Sequence, residues 1–156
     1  MKHEPADHAQ VRIHPPVLLL IHIFIAFLLN WLLPLPLGFP KVLEWVGYAL
    51  AVIGFGLAAS AVSQFMRAHT TLDPHGSVTK IITSGPYRVS RNPIYLGFVC
   101  LLIGFSFIFK NYWGLILAPV LMILLYQLVI QCEEAYLARK FGEAYSSYKS
   151  HVRRWL

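Results

Sequence analysis

Two polar islands in an otherwise apolar chain carry the groups able to do chemistry. The first is Thr83-Ser84-Gly85-Pro86-Tyr87-Arg88-Val89-Ser90-Arg91-Asn92-Pro93-Ile94-Tyr95-Leu96-Gly97, and the second is Glu133-Glu134. Pro86 and Pro93 fix the backbone of the first, and Gly85 and Gly97 allow close approach, so its side chains are held rather than free. Arg91 and Asn92 offer N–H donors beside the rings of Tyr87 and Tyr95. Arginine pairs bidentately with a carboxylate, and a ring face attracts an onium group. Together they suit a ligand that carries a carboxylate, a ribose and a cation.

The acidic doublet follows twenty-two uncharged residues, 111–132. At an exposed helix start it would merely complement the helix dipole. At a bilayer edge its charges are costly unless paired, so they take either a ligand ammonium or the arginines of the first island. Either use joins the islands. The histidines carry less. His69 and His75 lie in the long link between apolar stretches, where His69 is the candidate if a base is needed. His22 reads as a hydrogen-bonded contact between helices, and His3, His8, His14 and His151 as solvated or headgroup residues. No pair has metal-ligand spacing, so no metal is expected. A P-loop, a GxGxxG fingerprint and a nucleophile elbow are all missing from the sequence.

The elements that must position these groups are read from hydropathy. The 156 residues are 57% hydrophobic and 13% charged, against roughly a quarter charged in soluble domains. Uncharged stretches run over 13–40, 45–66, 92–109 and 111–132. About 20 helical residues cross the ~30 Å hydrocarbon layer, and proline trims the first stretch. The expectation is an all-α integral membrane bundle, a single domain over 1–156, with spans near 17–33, 45–66, 94–109 and 112–132. No small-residue cleavage site follows the first span, so it is expected to stay uncleaved. Leu137, Phe141, Tyr145, Tyr148 and Val152 form a helical stripe, predicting an amphipathic helix over 133–152 that lies on the headgroups or folds back on the bundle.

Eleven of the thirteen Lys and Arg residues fall on one side of such a bundle, leaving only Lys41 and Lys110 on the other. The positive-inside bias then puts both termini and both islands on the cytoplasmic face of a cell inner membrane. The net charge of +6 faces lipid headgroups rather than nucleic acid. Cys100 and Cys132 read as packing residues. Span two is rich in small residues, with Gly47 and Gly54 on one face, which suits internal helix packing or a homodimer seam.

Taken together, Gly85-Pro86-Tyr87-Arg88, Arg91-Asn92-Pro93-Ile94-Tyr95-Leu96-Gly97, Glu133-Glu134, Leu137, Phe141-Gly142, Tyr145 and Tyr148 resemble the isoprenylcysteine carboxyl methyltransferase and phospholipid methyltransferase family. The resemblance covers about 67–155. It implies a membrane enzyme that uses S-adenosylmethionine as cofactor and methylates a lipophilic acceptor arriving from the bilayer. Its cofactor-binding positions fall on Tyr87, Arg91, Asn92, Pro93, Tyr95, Glu133 and Glu134, with Thr79, Lys80, Ile81 and Ile82 lining the same pocket in a loop over 67–93. Asn92 stands where many members have histidine and cannot titrate. Val129 and Ile130 stand where the prenylcysteine branch has an arginine, which points away from a prenylcysteine carboxylate. Two alternatives stay open: an NADPH-dependent membrane reductase with a similar C-terminal pattern, and a non-enzymatic membrane protein whose arginines and glutamates pair only with each other.

Overall fold

The computed structural model describes residues 8–9, 11–35, 38–70 and 78–156. Lys2, His3, His75 and the 71–77 part of the expected cofactor loop lie outside the described residues. Six α-helices account for most of the described chain: α1 (Pro15–Leu32), α2 (Lys41–Arg67), α3 (Pro93–Ile108), α4 (Tyr112–Leu125), α5 (Gln131–Phe141) and α6 (Glu143–His151). A π turn, Tyr126–Ile130, joins α4 to α5. The two therefore run on as a single helix, Tyr112–Phe141.

Among the described residues, three helices are long and apolar enough to cross a membrane: Pro15–Leu32, Lys41–Arg67 and Tyr112–Phe141. Their large side chains that face outward, among them Leu20, Phe24, Trp31, Val52 and Phe55, would be a liability in water and are ordinary against lipid. The fourth expected span, α3, is apolar but has only 16 residues. At 1.5 Å per residue it covers about 24 Å, less than the hydrocarbon layer. It is the inner helix of the bundle, in contact with α2, α1 and α4.

The α2–α3 seam brings backbone onto backbone. A Cβ added at Gly54 would lie 2.7 Å from the Gly97 carbonyl oxygen, and one at Gly47 2.8 Å from that of Gly104. Lipid tails are as apolar as leucine, so close backbone approach and dispersion do the work that exclusion of water does elsewhere. The small-residue face that the sequence leaves open between internal packing and a homodimer seam is thus the face that packs on α3.

At one end of the bundle the chain is closed by aromatic contacts. Trp113 donates its indole N–H to the Leu33 carbonyl at 2.8 Å, and the Tyr112 hydroxyl donates to the Gly38 carbonyl at 2.8 Å. Asn111 caps α4 by accepting from the Trp113 N–H at 3.0 Å, an N-cap that satisfies an otherwise orphaned donor. The other end gathers the start of α1, the end of α2, the start of α3 and the helix beyond the π turn. Both polar islands lie at this end.

Two expectations are corrected here. The helix expected over 133–152 is two: α5 continues the last span, and Gly142, with φ 51° and ψ −120°, ends it so that α6 turns back. Only glycine adopts that backbone without strain. His22, expected to bond between helices, instead places its Nδ1 2.8 Å from the Leu18 carbonyl one turn earlier in its own helix.

The seam yields a paired test. Gly54→Ala meets backbone atoms and should destabilise the protein by about 1–3 kcal/mol. Gly56→Ala, whose new Cβ meets nothing within 4 Å, should be neutral or slightly stabilising. Equilibrium unfolding in mixed micelles reads both, and equal effects would contradict the seam.

Candidate functional site

The first island folds as a hinge of fixed shape. Gly85 takes φ 59°, which starts a 3₁₀ turn, Gly85–Arg88, and an added Cβ there would press on the Gln64 side chain. Ser84 donates its hydroxyl to Gln64 Oε1 at 2.8 Å, which ties the turn to the end of α2. Tyr87 is buried and packs edge-on against Phe65, ring centroids 5.7 Å apart. Pro93 then opens α3 at a position where its missing N–H costs nothing. Tyr95 follows in the first turn of that helix.

The second island reaches the first across the helix end. Tyr95 donates its hydroxyl to Glu133 Oε1 at 2.6 Å. Glu134 receives Arg154 on both oxygens, from Nε and Nη2 at 3.0 Å each. Arg91 Nη2 lies 3.3 Å from Glu134 Oε1, and Lys149 Nζ 3.9 Å from Oε2. The Arg154 guanidinium also stacks 4.6 Å from the Tyr126 ring centre. The π turn explains how one arginine meets both. Its wider turn absorbs one residue, so Glu134, eight positions after Tyr126, falls where the seventh would in an unbroken helix, on the same face.

The C-terminal residues strap this assembly together. The Arg91 N–H donates to the Arg153 carbonyl at 3.0 Å. The Arg154 carbonyl accepts from the Ser90 hydroxyl at 3.2 Å and from Asn92 Nδ2 at 3.0 Å. α6 contributes Tyr148, whose hydroxyl donates to the Tyr87 carbonyl at 2.7 Å, and Tyr145, which is buried. The amphipathic stripe of the C-terminal region thus folds back on the bundle.

Between these groups lies a cleft that encloses about 120 Å³ and widens into an open mouth. Of the residues expected at a site, Lys80, Ile81, Ile82, Tyr87, Arg91, Asn92, Tyr95, Glu133 and Glu134 line it. Thr79 does not; its N–H donates to Thr70 Oγ1. Nor does Pro93, which is buried in the bundle as the first residue of α3. Asn92 reaches the wall, but its amide N–H is directed to the Arg154 carbonyl. His69 sits exposed just beyond α2 and does not line the cleft.

Several wall residues were not among the expected site residues: Phe65, Tyr136, Leu137, Tyr145 and Tyr148, together with Arg154 behind Glu134. The stripe from Leu137 to Val152 signals a buried face for some of them, without saying what it covers. Arg154 gives no sequence signal beyond its charge.

The electrostatics of the cleft are asymmetric. Three cations converge on the single carboxylate of Glu134, whose side chain is 12% exposed. The Arg91 side chain is only 8% exposed, yet its Nε and Nη1 are buried without a hydrogen-bond partner. Buried donors left unsatisfied cost about 1–3 kcal/mol each, and they suit an anionic group. Opposite them, Glu133 and the surrounding tyrosine rings suit a cationic one. Burial pushes the Tyr87 phenol far above its ordinary range, and those of Tyr145 and Tyr148 up to about 12. All three are neutral donors at physiological pH. Among the described residues no cluster of His, Cys, Asp and Glu is arranged to hold a metal ion.

The family model described as phospholipid methyltransferase matches residues 42–144. A protein-S-isoprenylcysteine O-methyltransferase from Schizosaccharomyces pombe is 25% identical over 131 residues, which cover 83% of this chain and 52% of that protein. The chain therefore spans about half the length of that relative. No solved structure matches.

A pH dependence follows from the tyrosines. Their folded pKa of about 12 lies above the ordinary 10.0, so the unfolded chain ionises first. Their stabilisation is complete below pH 10 and lost as pH rises through about 12. Unfolding midpoints should be level in this respect up to pH 9 and fall between pH 10 and 12, less steeply for Tyr148→Phe. A fall of equal slope in that variant would contradict the assignment.

Proposed function

We infer from one premise, that this chain belongs to the phospholipid methyltransferase family, that it transfers a methyl group from S-adenosylmethionine to a lipophilic acceptor. The observation that carries the reading is that Arg91, with two side-chain donors lacking a partner, and the Tyr95-bound Glu133 line the same cleft. The cofactor bears both a carboxylate and an ammonium on its amino-acid end, and a sulfonium beside its ribose. Arg91 Nε and Nη1 would hold the carboxylate, and Glu133 the ammonium. The rings of Tyr87 and Tyr95 would face the sulfonium.

Bound there, the cofactor supplies an activated methyl: the acceptor forms the new bond as the C–S bond breaks, and the electron pair stays on sulfur. The protein's own task is alignment, which alone is worth several kcal/mol. Tyr95 fixes the rotamer of Glu133, and Pro93 fixes Tyr95 at the start of α3. Tyr148 fixes the Tyr87 backbone. An acceptor that reacts as an anion needs no base, and one that must lose a proton would have Glu133 or Glu134 within the cleft to take it.

Support for a lipophilic acceptor comes from the walls: Phe65, Ile81, Ile82, Ile94 and Leu137 are apolar, and the cleft lies at the end of membrane-length helices. Val129 and Ile130 are fully buried in the apolar core. The prenylcysteine branch is expected to have an arginine in that region, so an acceptor without a prenylcysteine carboxylate fits better. The concentration of Lys and Arg at the cleft end supports a cytoplasmic site. The reading of a non-enzymatic protein with self-paired charges is disfavoured, because Arg91 is only partly paired.

Calorimetry on protein in nanodiscs tests this directly. S-adenosylmethionine and S-adenosylhomocysteine should bind in the micromolar range, and NADPH should not bind. Arg91→Ala and Glu133→Gln should each weaken binding by at least about tenfold, the loss of one charge-assisted contact. Binding of NADPH alone would overturn the reading in favour of a reductase. Binding of none of the three would favour a non-enzymatic role.

A further inference from the structure

We propose that Arg154 is a positioning residue for the cofactor pocket, acting through Glu134 to keep Arg91 available to an anionic ligand. The proposal rests on the methyltransferase reading above and adds a residue outside the 42–144 family match.

The argument starts from competition. Glu134 has two oxygens and three cations near it. Arg154 takes both oxygens in a fork at 3.0 Å, the strongest arrangement open to an arginine and a carboxylate. Arg91 is left with one contact to Glu134, 3.3 Å through Nη2, beside the Tyr145 phenol, and its Nε and Nη1 stay buried without a hydrogen-bond partner. Arg154 is itself held from three directions. Tyr126 lies under its guanidinium, and the Ser90 hydroxyl and the Asn92 amide grip its carbonyl. The fork is thus preorganised, and the hold of Glu134 on Arg91 is weakened by it.

Without Arg154, Glu134 would have Arg91 as its one arginine partner and would turn both oxygens to it. Arg91 would then be satisfied internally, and its donors would no longer face the ligand. An arginine that served only to hold the chain together would have another signature: removing a second partner of the same network would do further harm. A positioning role predicts the reverse sign. With Arg154 gone, neutralising Glu134 releases Arg91.

The probe is S-adenosylhomocysteine, titrated by calorimetry into nanodisc-embedded wild type, Arg154→Ala, Arg154→Lys and the double variant Arg154→Ala/Glu134→Gln. Arg154→Ala should bind about tenfold or more weakly, one charge-assisted contact being worth that much. Arg154→Lys, which keeps the charge but not the fork, should fall between it and wild type. The double variant should bind more tightly than Arg154→Ala. If Arg154→Ala is recovered unfolded, Arg154→Lys against Arg154→Lys/Glu134→Gln carries the same comparison. Wild-type binding with Arg154→Ala unchanged, or a double variant no better than the single, overturns the role of Arg154 and leaves the methyltransferase reading standing. A wild type that binds no S-adenosyl ligand removes both.

Discussion

A carboxylate at the edge of a hydrocarbon layer must be neutralised, and Glu134 is neutralised by residues far apart in the chain. Arg91 comes from the turn before α3 and Arg154 from beyond α6. Charges taken from water are held only if their partners are in place, so this one group fixes the relative positions of three segments. The cleft exists because they meet. Its walls come from the end of α2, the start of α3, the helix after the π turn, and α6. No two neighbouring elements would enclose it alone.

The bundle beneath makes that meeting reproducible. Glycine pairs let α2 and α3 touch backbone to backbone, and α3 carries Arg91, Asn92 and Tyr95 at or just before its first turn. A shift along that seam would move Tyr95 off Glu133. The short length of α3 has a consequence of the same kind. A helix of 16 residues leaves room at one end of the bundle, and the polar turn and the folded-back α6 occupy it.

Much of this was legible in the residues. Apolar runs bounded by proline and charge gave the helical membrane bundle, because in lipid every backbone group must be satisfied within its own segment. The pairing of the islands was legible too, since Glu133-Glu134 at the end of an uncharged run needs cations nearby. Three features were not. The π turn leaves no mark in composition, yet it sets the face on which Glu134 emerges. The inner position of α3 was hidden, because its residues are as apolar as those of the helices around it. Arg154 read as one more positive charge near a membrane, since its fork to Glu134 and its stack on Tyr126 depend on where Gly142 sends the chain. Asn92 shows the opposite limit: its type fits a ligand donor, while its amide is used by the backbone of the strap.

The central claim is that Glu134 and Arg154 form one energetic unit that closes the site. A double-mutant cycle of Glu134→Gln and Arg154→Ala, followed by equilibrium unfolding in mixed micelles without ligand, tests it most directly. The account predicts a coupling of about 1–3 kcal/mol, as for contacting residues in one network. Effects that add to within about 0.5 kcal/mol, the behaviour of independent sites, would contradict it.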